Sequence, residues 1–116
     1  MARIKNQTKN CIIAEDYRLC KSIFKKASGL MFSGKRALVF DFKKEKKIPL
    51  HMMFVFFPID VFFLNRNKKV VEIKRDFRPF SFYSPKKKAM YIIELPKSRR
   101  YKKEIAITQT GDILSF

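Results

Sequence analysis

The chain of 116 residues has one histidine, two cysteines and no tryptophan. With His51 as the only imidazole, a histidine-based zinc site would need carboxylates or thiolates for every other ligand. Cys11 and Cys20 also lack the CxxC spacing of thiolate sites. We therefore expect no metal and no cofactor. The two cysteines are interpreted as small buried apolar residues in a reducing cytoplasm.

The sequence also lacks an apolar run long enough for a membrane helix. The longest run, residues 48–64, is interrupted by His51, Pro58 and Asp60. A membrane-spanning helix needs about 20 mainly apolar residues. Residues 1–10 contain no apolar stretch typical of a signal peptide. The sequence therefore predicts a cytoplasmic protein that does not engage a membrane.

Acidic residues are scarce relative to basic ones. The chain has 27 Lys and Arg against 10 Asp and Glu, a formal net charge of +17. A lysine-rich composition is normally balanced by glutamate, so this excess indicates an anionic partner such as RNA or DNA. The cations gather in four segments that connect apolar stretches: residues 43–47, 66–69, 86–88 and 97–103. Such segments can converge into one patch if they lie at the same end of a bent sheet.

The last two of these segments supply the candidate anion-binding residues. These are Lys86, Lys87, Lys88, Arg99, Arg100, Lys102 and Lys103. The alternative is a solvated cationic surface without a partner. Aromatic residues near the basic groups (Phe77, Phe80, Phe82, Tyr83 and Tyr101) could stack on bases, although most rings of a small Phe-rich protein belong in its core. No RNP-like or helix-turn-helix pattern is present, so sequence-specific recognition is not expected.

The patterning predicts one β-rich domain over residues 1–116. Residues 2–6 and 11–14 flank a polar turn and suggest a hairpin. Apolar residues recur at helical spacing over residues 15–28, with Gly29 as a C-terminal stop. After Gly34 the pattern is strand-like, and the predicted strands cover residues 37–42, 48–57, 61–64, 70–73, 89–95, 105–107 and 113–116. We expect an α+β fold, predominantly β, with a strongly bent antiparallel or mixed sheet or an open barrel and one main helix.

An ordered set of short motifs resembles a known family. The motifs are Gly29-Leu-Met-Phe32, Phe57-Pro-Ile-Asp-Val-Phe-Phe-Leu64, Val70-Val-Glu-Ile73, Ala89-Met-Tyr-Ile-Ile-Glu-Leu-Pro96 and Gly111-Asp112. Together they are similar to the domain of unknown function 192, also called uncharacterised protein family 0127. The resemblance implies a fold but no assigned activity. Many bacterial members carry Trp-Met-Lys-Asn-Thr where this chain has His51-Met-Met-Phe-Val55, so no function that needs that Asn and Thr is expected here.

Asp60 is the only carboxylate between Glu45 and Glu72, and apolar residues surround it in the sequence. Burial of an unpaired carboxylate is unfavourable, so this residue needs a partner or a role. In the structural interpretation, which we favour, it accepts backbone N–H bonds or pairs with a Lys or Arg. In the functional interpretation, Asp60 or Glu94 anchors the apolar pocket of a small ligand-binding barrel or enzyme. A third possibility is an interaction subunit for an acidic protein.

Overall fold

The structure, a computed structural model, describes residues 3–20, 36–51, 57–79, 81–97 and 100–116. Within these ranges the chain forms ten β-strands and one α-helix. They are β1 (Ile4–Asn6), β2 (Cys11–Ala14), β3 (Tyr17–Cys20), β4 (Ala37–Lys46), β5 (Leu50–His51), β6 (Ile59–Leu64), β7 (Val70–Phe77), β8 (Phe82–Tyr83), β9 (Ala89–Pro96), α1 (Lys102–Ile107) and β10 (Leu114–Ser115).

The central element is a five-stranded sheet in the order β3-β4-β9-β6-β7. β3 and β4 are parallel, and the other neighbours are antiparallel. β6 lies inside the sheet and is buried at all six positions. Five of its six residues are apolar, as is typical of a strand whose sheet is covered on both faces. Two apolar clusters, one on each face, therefore form the core.

The two faces are covered by different elements. A three-stranded sheet (β10-β1-β2) and α1 pack on one face, where Ile4, Ile13 and Ile105 join Phe62 and Leu64 in one cluster. The two-stranded ribbon β5–β8 packs on the other face, and its residues Leu50 and Tyr83 pack with those of the second cluster. The sheets remain open at their edges, and the fold is α+β and predominantly β, as the sequence predicted.

The helix predicted over residues 15–28 is wrong where the structure describes it, because Tyr17–Cys20 is strand β3. Tyr17 packs in the cluster that contains Phe62, whereas Cys20 is buried in the cluster that contains Leu50. Two residues three apart share a face in a helix but lie on opposite faces in a strand. The three-residue spacing of Tyr17 and Cys20 is therefore compatible with a helix that buries one face and also with a strand that is covered on both faces. Residues 21–28 lie outside the described residues.

A second correction concerns residues 105–107, which were predicted as a strand and belong to helix α1. The helix has six residues, fewer than two full turns, so no helical period is visible in its sequence. The Arg75 guanidinium donates to the carbonyls of Ile105, Ala106 and Thr108 at 3.2, 3.2 and 2.5 Å. The Ile105 carbonyl also accepts the Thr108 N–H at 3.3 Å, and Arg75 adds side-chain donors to the carbonyls at the C-terminal end of the helix.

Several hairpins match the prediction closely. β1 and β2 pair antiparallel across the turn at residues 7–10. β6 and β7 pair across residues 65–69, a turn in which Asn65 Oδ1 accepts the N–H groups of Asn67 and Lys69 at 2.9 and 3.1 Å. β9 ends at Pro96, one residue beyond the predicted strand. β4 continues four residues beyond its predicted end, to Lys46.

A buried polar network joins the β1–β2 turn to the segment between α1 and β10. The Asp112 carboxylate accepts hydrogen bonds from Asn6 Nδ2 at 2.8 Å, Lys9 Nζ at 2.7 Å and the Gln109 N–H at 3.0 Å. Asn6 Nδ2 also donates to Thr108 Oγ1 at 3.1 Å. Burial alone would raise the pKa of Asp112, but the bonds from Lys9, Asn6 and Gln109 together hold it below the usual 3.8.

Candidate functional site

The topology places three basic segments at the same end of the central sheet. β4 and β6 run towards this end and β9 starts there, as the pairings Lys46↔Ala89 and Leu64↔Tyr91 require. β7 also starts there, because Val70 pairs with Leu64. We name this end, formed by residues 43–47, 65–69 and 86–88, the basic end. Its ten cations are Lys43, Lys44, Lys46, Lys47, Arg66, Lys68, Lys69, Lys86, Lys87 and Lys88, and its one carboxylate is Glu45.

Two of the three segments are bonded to each other. Glu45 Oε2 accepts the backbone N–H of Arg66 at 2.9 Å and lies 3.7 Å from the Arg66 Nε. Residue 43 has a positive φ of 67°, and its N–H donates to Asp41 Oδ1 at 2.9 Å. The register between β4 and β9 is irregular between Asp41 and Lys46. Lys46 still pairs with Ala89 of β9, and Lys43, Lys44, Lys46 and Lys47 are exposed to solvent.

The third segment is held by Glu72 of β7. Glu72 Oε1 accepts the backbone N–H groups of Lys86 and Lys87, each at 2.9 Å, and Oε2 accepts the Tyr83 hydroxyl. Burial raises the pKa of Tyr83 to about 12, with further contributions from the hydrogen bond and the charge of Glu72. The Glu72 carboxylate thus bonds to the backbone of this segment, and the side chains of Lys86, Lys87 and Lys88 are exposed.

The cations of the basic end are poorly neutralised. Lys68 is half-buried, with its Nζ 4.3 Å from the centre of the Phe116 ring, and the other nine are exposed. Lys43 pairs with Asp41 at 3.3 Å and Arg66 pairs with Glu45 at 3.7 Å. No other carboxylate of the described residues lies within 4.0 Å of a cation of the basic end. Eight like charges therefore share one surface, where they raise the local positive potential.

The six candidate anion-binding residues that the structure describes do not form one patch. Lys86, Lys87 and Lys88 belong to the basic end. Arg100, Lys102 and Lys103 follow the end of β9 and lie at the opposite end of the sheet, where Pro96 pairs with Ile59. Arg99 lies outside the described residues. The sequence shows that residues 43–47 and 66–69 are basic segments. Only the strand pairings show that they lie at the same end of the sheet as residues 86–88.

Several cations at the opposite end have carboxylate partners. Arg100 pairs with Glu15 at 3.0 Å and Arg36 pairs with Asp16 at 3.0 Å. Lys97 lies 3.1 Å from Asp60 and 3.7 Å from Asp76. The two ends therefore differ in electrostatic character, although both are rich in Lys and Arg.

Asp60 has the contacts that its structural interpretation requires. It is 8% exposed, and its Oδ1 accepts the Asp76 N–H at 2.9 Å and the Lys97 ammonium at 3.1 Å. Asp76 has a positive φ of 51°, so this bond holds a left-handed residue of β7 where the pairing with β6 is irregular. Glu94 is fully buried in β9. Its neighbours across the sheet are Leu38 and Val61.

Two surface clefts are lined by residues that the structure describes. One, of about 400 Å³, lies at the opposite end and is lined by Asp16, Arg36, Lys97, Arg100 and Tyr101 among others. The other, of about 370 Å³, lies between the end of β7 and β8. We name the second the Phe82 cleft; its lining includes Lys74, Asp76, Arg78, Phe82 and Tyr83. Neither of these two clefts is lined by Asp60 or Glu94.

Within the described ranges, no group of three or more His, Cys, Asp or Glu side chains is arranged to hold a metal ion. No helix in that same part of the chain is long and apolar enough to cross a membrane. Neither Cys11 nor Cys20 is in a disulfide, and burial raises the pKa of Cys11.

Comparison with known proteins establishes the family. Residues 4–114 match the family model DUF192, described as "Uncharacterized ACR, COG1430". The chain belongs to the DUF192 family. A UPF0127 protein of Pyrococcus horikoshii is 40% identical over 97 residues, which cover 81% of this chain and 84% of the relative. A UPF0127 protein of Pyrococcus furiosus is 39% identical over 95 residues, which cover 79% of this chain and 81% of the relative.

Two solved structures resemble this DUF192 chain in fold. One, from Sinorhizobium meliloti 1021, is named as a possible transcription regulator; it has a TM-score of 0.77 and 18% identity over 97% of this chain and 89% of its own. The other, a protein of unknown function from Novosphingobium aromaticivorans, has a TM-score of 0.77 and 16% identity over 98% of this chain and 82% of its own. At these identities the likeness shows the fold alone.

Proposed function

We propose that this DUF192 protein binds RNA or DNA through the basic end, without reading the base sequence. The observation that supports the proposal is the convergence of residues 43–47, 65–69 and 86–88, with ten cations and one carboxylate, on one end of the sheet. A regularly charged polymer can contact many of these cations at once. The name of the Sinorhizobium meliloti structure plays no part in the argument, because that likeness extends to the fold alone.

The binding energy would come from the release of counterions. Lysines and arginines that neutralise phosphates displace condensed cations into solution, so affinity falls as salt rises. A protein that makes 6–10 phosphate contacts loses about 10³–10⁵ in affinity between 50 and 200 mM salt. Loops of flexible lysines do not present the fixed donor pattern needed to read base edges, so little sequence preference is expected.

The experiment compares two variants with the same change in net charge. Lys86→Gln/Lys87→Gln/Lys88→Gln removes three charges from the basic end, and Arg100→Gln/Lys102→Gln/Lys103→Gln removes three from the opposite end. Affinity for a labelled oligonucleotide is measured by fluorescence anisotropy over a range of salt concentrations. We expect the basic-end variant to reduce the slope of log affinity against log salt by about 2–3, and the control variant to reduce it by less than about 1.

The outcome is decisive because both variants have the same net charge. An equal reduction of the salt slope in both variants would mean that attraction depends on the overall charge of the protein. The basic end would then not be the nucleic-acid binding site. Absence of binding by the wild-type protein at 50 mM salt would refute the proposal altogether. Loss of the exposed Arg100–Glu15 pair is expected to lower the free energy of unfolding by less than about 1 kcal/mol, so the control variant should fold normally.

The contacts of Asp60 do not favour the alternative of a ligand-binding barrel or enzyme. Its described partners are a backbone N–H and Lys97, as in a structural carboxylate. The proposal also includes a cytoplasmic location, where RNA and DNA are accessible. Cys11 and Cys20 are not joined in a disulfide, which is consistent with that compartment.

A further inference from the structure

Glu72 is a carboxylate beside the basic end that bonds to the main chain instead of to the cations. Its Oε1 accepts the N–H groups of Lys86 and Lys87, each at 2.9 Å, and its Oε2 accepts the Tyr83 hydroxyl. Within the described residues, no Lys or Arg side chain lies within 4.0 Å of this carboxylate. A negative charge that neutralises no neighbouring cation is unfavourable on a surface that attracts a polyanion. Its position therefore calls for an explanation.

The bonds from Glu72 act in the middle of the segment that carries the lysines. Pro85 and Ala89 are buried on either side of this segment, whereas the side chains of residues 86–88 are exposed. Residues 86–88 precede β9 and lie outside its pairings with β4 and β6. The sheet therefore supplies no ladder acceptor to these N–H groups, and Glu72 supplies one for two of them.

Glu72 is itself connected to the core. It pairs with Phe63 across β6 and β7, so the two side chains share one face of the sheet. The Tyr83 ring lies on that face, with its centroid 5.8 Å from that of Phe63 and 6.4 Å from that of Phe77. Contacts thus run from the core through Tyr83 and Glu72 to the backbone of residues 86–88.

We propose that Glu72 is a positioning residue of the basic end, which holds residues 86–88 so that their ammonium groups face the phosphates of RNA or DNA. This inference rests on the proposed function. A segment that is ordered before binding loses less conformational entropy in the complex. Ordering the backbone of one residue on binding corresponds to about a 5- to 30-fold loss of affinity. That gain outweighs the repulsion between one carboxylate and phosphates that water and salt screen.

The test uses two substitutions with the same change in charge. Glu72→Gln and Glu72→Ala each remove one negative charge, but only glutamine keeps an oxygen for the two N–H groups and an amide that can donate to the Tyr83 hydroxyl oxygen. Affinity for a labelled twelve-residue oligothymidylate is measured by fluorescence anisotropy at about 150 mM salt. We expect Glu72→Ala to bind at least about fivefold more weakly than wild type, although it is more cationic. The conservative variant Glu72→Gln should bind at least as tightly as wild type.

A control and a second measurement separate anchoring from general destabilisation. Asp60→Asn also removes one negative charge and a charged acceptor of a backbone N–H, but at the opposite end of the sheet, so it should not weaken binding. Hydrogen exchange needs no ligand. The amides of Lys86 and Lys87 should exchange at least about tenfold faster in Glu72→Ala than in wild type, and Glu72→Gln should change them much less.

Each result bears on the positioning role separately from the proposed function. Binding by Glu72→Ala as tight as that of wild type, unchanged exchange of both amides, or equal weakening by Asp60→Asn would overturn the positioning role. The nucleic-acid function would stand in those cases if Lys86→Gln/Lys87→Gln/Lys88→Gln still lowers the salt slope. If the wild-type protein does not bind the oligomer, both proposals fail.

Discussion

Replacement of Asp112 by asparagine should destabilise the protein substantially, because it removes the charge at the centre of a buried network. The Asp112 side chain is 3% exposed and accepts bonds from Lys9, Asn6 and Gln109. Asparagine keeps the shape, but it replaces one acceptor oxygen with an N–H donor. That donor would face donors already present, so at least one bond would be lost and one polar group left unsatisfied.

The magnitude follows from the bonds involved. A hydrogen bond to a charged group contributes about 1.5–3 kcal/mol, and a buried group left unsatisfied costs about 1–3 kcal/mol. Lys9 is 25% exposed, so its ammonium can turn to water and recover part of the loss. We expect Asp112→Asn to lower the free energy of unfolding by about 2–4 kcal/mol. For a domain of this size, that corresponds to a fall in Tm on the order of 10 °C.

The loss should depend on pH in a defined direction. The folded-state pKa of Asp112 lies below its unfolded value of about 3.8, so the charged form is the one that stabilises the fold. This contribution is complete above the unfolded pKa and is lost as the pH falls through the folded pKa. The difference in stability between wild type and Asp112→Asn should therefore be constant near neutral pH and shrink below about pH 4.

The assay is chemical denaturation at a series of pH values, with Asp16→Asn as the control. Asp16 also pairs with a cation, Arg36, but its side chain is 59% exposed, so its removal should change stability by less than about 1 kcal/mol. Equal effects of the two substitutions at neutral pH would refute the reasoning. A difference in stability between wild type and Asp112→Asn that stays constant down to pH 2 would also refute it.

Two other carboxylate contacts give further predictions. Asp60→Asn should lower the free energy of unfolding by about 1–3 kcal/mol, because the Asp76 N–H loses a charged acceptor; an unchanged Tm would instead favour a functional role. Tyr83 should titrate near pH 12 by ultraviolet absorbance, and Glu72→Gln should move its pKa back towards 10. Because its folded-state pKa is raised, its contribution to stability should persist below pH 10 and disappear between pH 10 and 12. Titration of all tyrosines near pH 10 would contradict the burial and bonding of Tyr83.

The parts of the fold that local chemistry determines were predictable from the sequence. The turn at residues 65–69 has an asparagine whose side chain closes the loop on its own backbone, and Pro96 ends β9 because proline cannot extend the ladder. The apolar residues 61–64, predicted as a strand, belong to β6, which is buried at all six positions. None of these features depends on contacts that are distant in the sequence.

The predictions were wrong where the local sequence is compatible with both a helix and a strand and tertiary packing decides between them. Tyr17 and Cys20 fit a helical period, yet they are divided between the two faces of the central sheet. Ile105 lies in a short helix whose last carbonyls are capped by Arg75, a residue 30 positions earlier in the chain. Such a partner can be identified only when the fold is known.

The candidate surface was predictable in its parts and not in its assembly. The basic segments at residues 43–47, 66–69 and 86–88 are visible in the sequence, but the register of β4, β9 and β6 is needed to place them at one end. Residues 100–103 look equally basic, and only the strand directions assign them to the other end.

The most direct test of the basic end as a nucleic-acid surface is a titration followed by backbone amide chemical shifts. The ¹⁵N-labelled wild-type protein would be titrated with a twelve-residue oligothymidylate at about 150 mM salt, where non-specific attraction is largely screened. We predict that the largest shifts occur in residues 43–47, 65–69 and 86–88, with little change over Lys102–Ile107. Shifts concentrated around Arg36, Arg100 and Lys102–Ile107, or spread evenly over both ends, would contradict the assignment of function to the basic end.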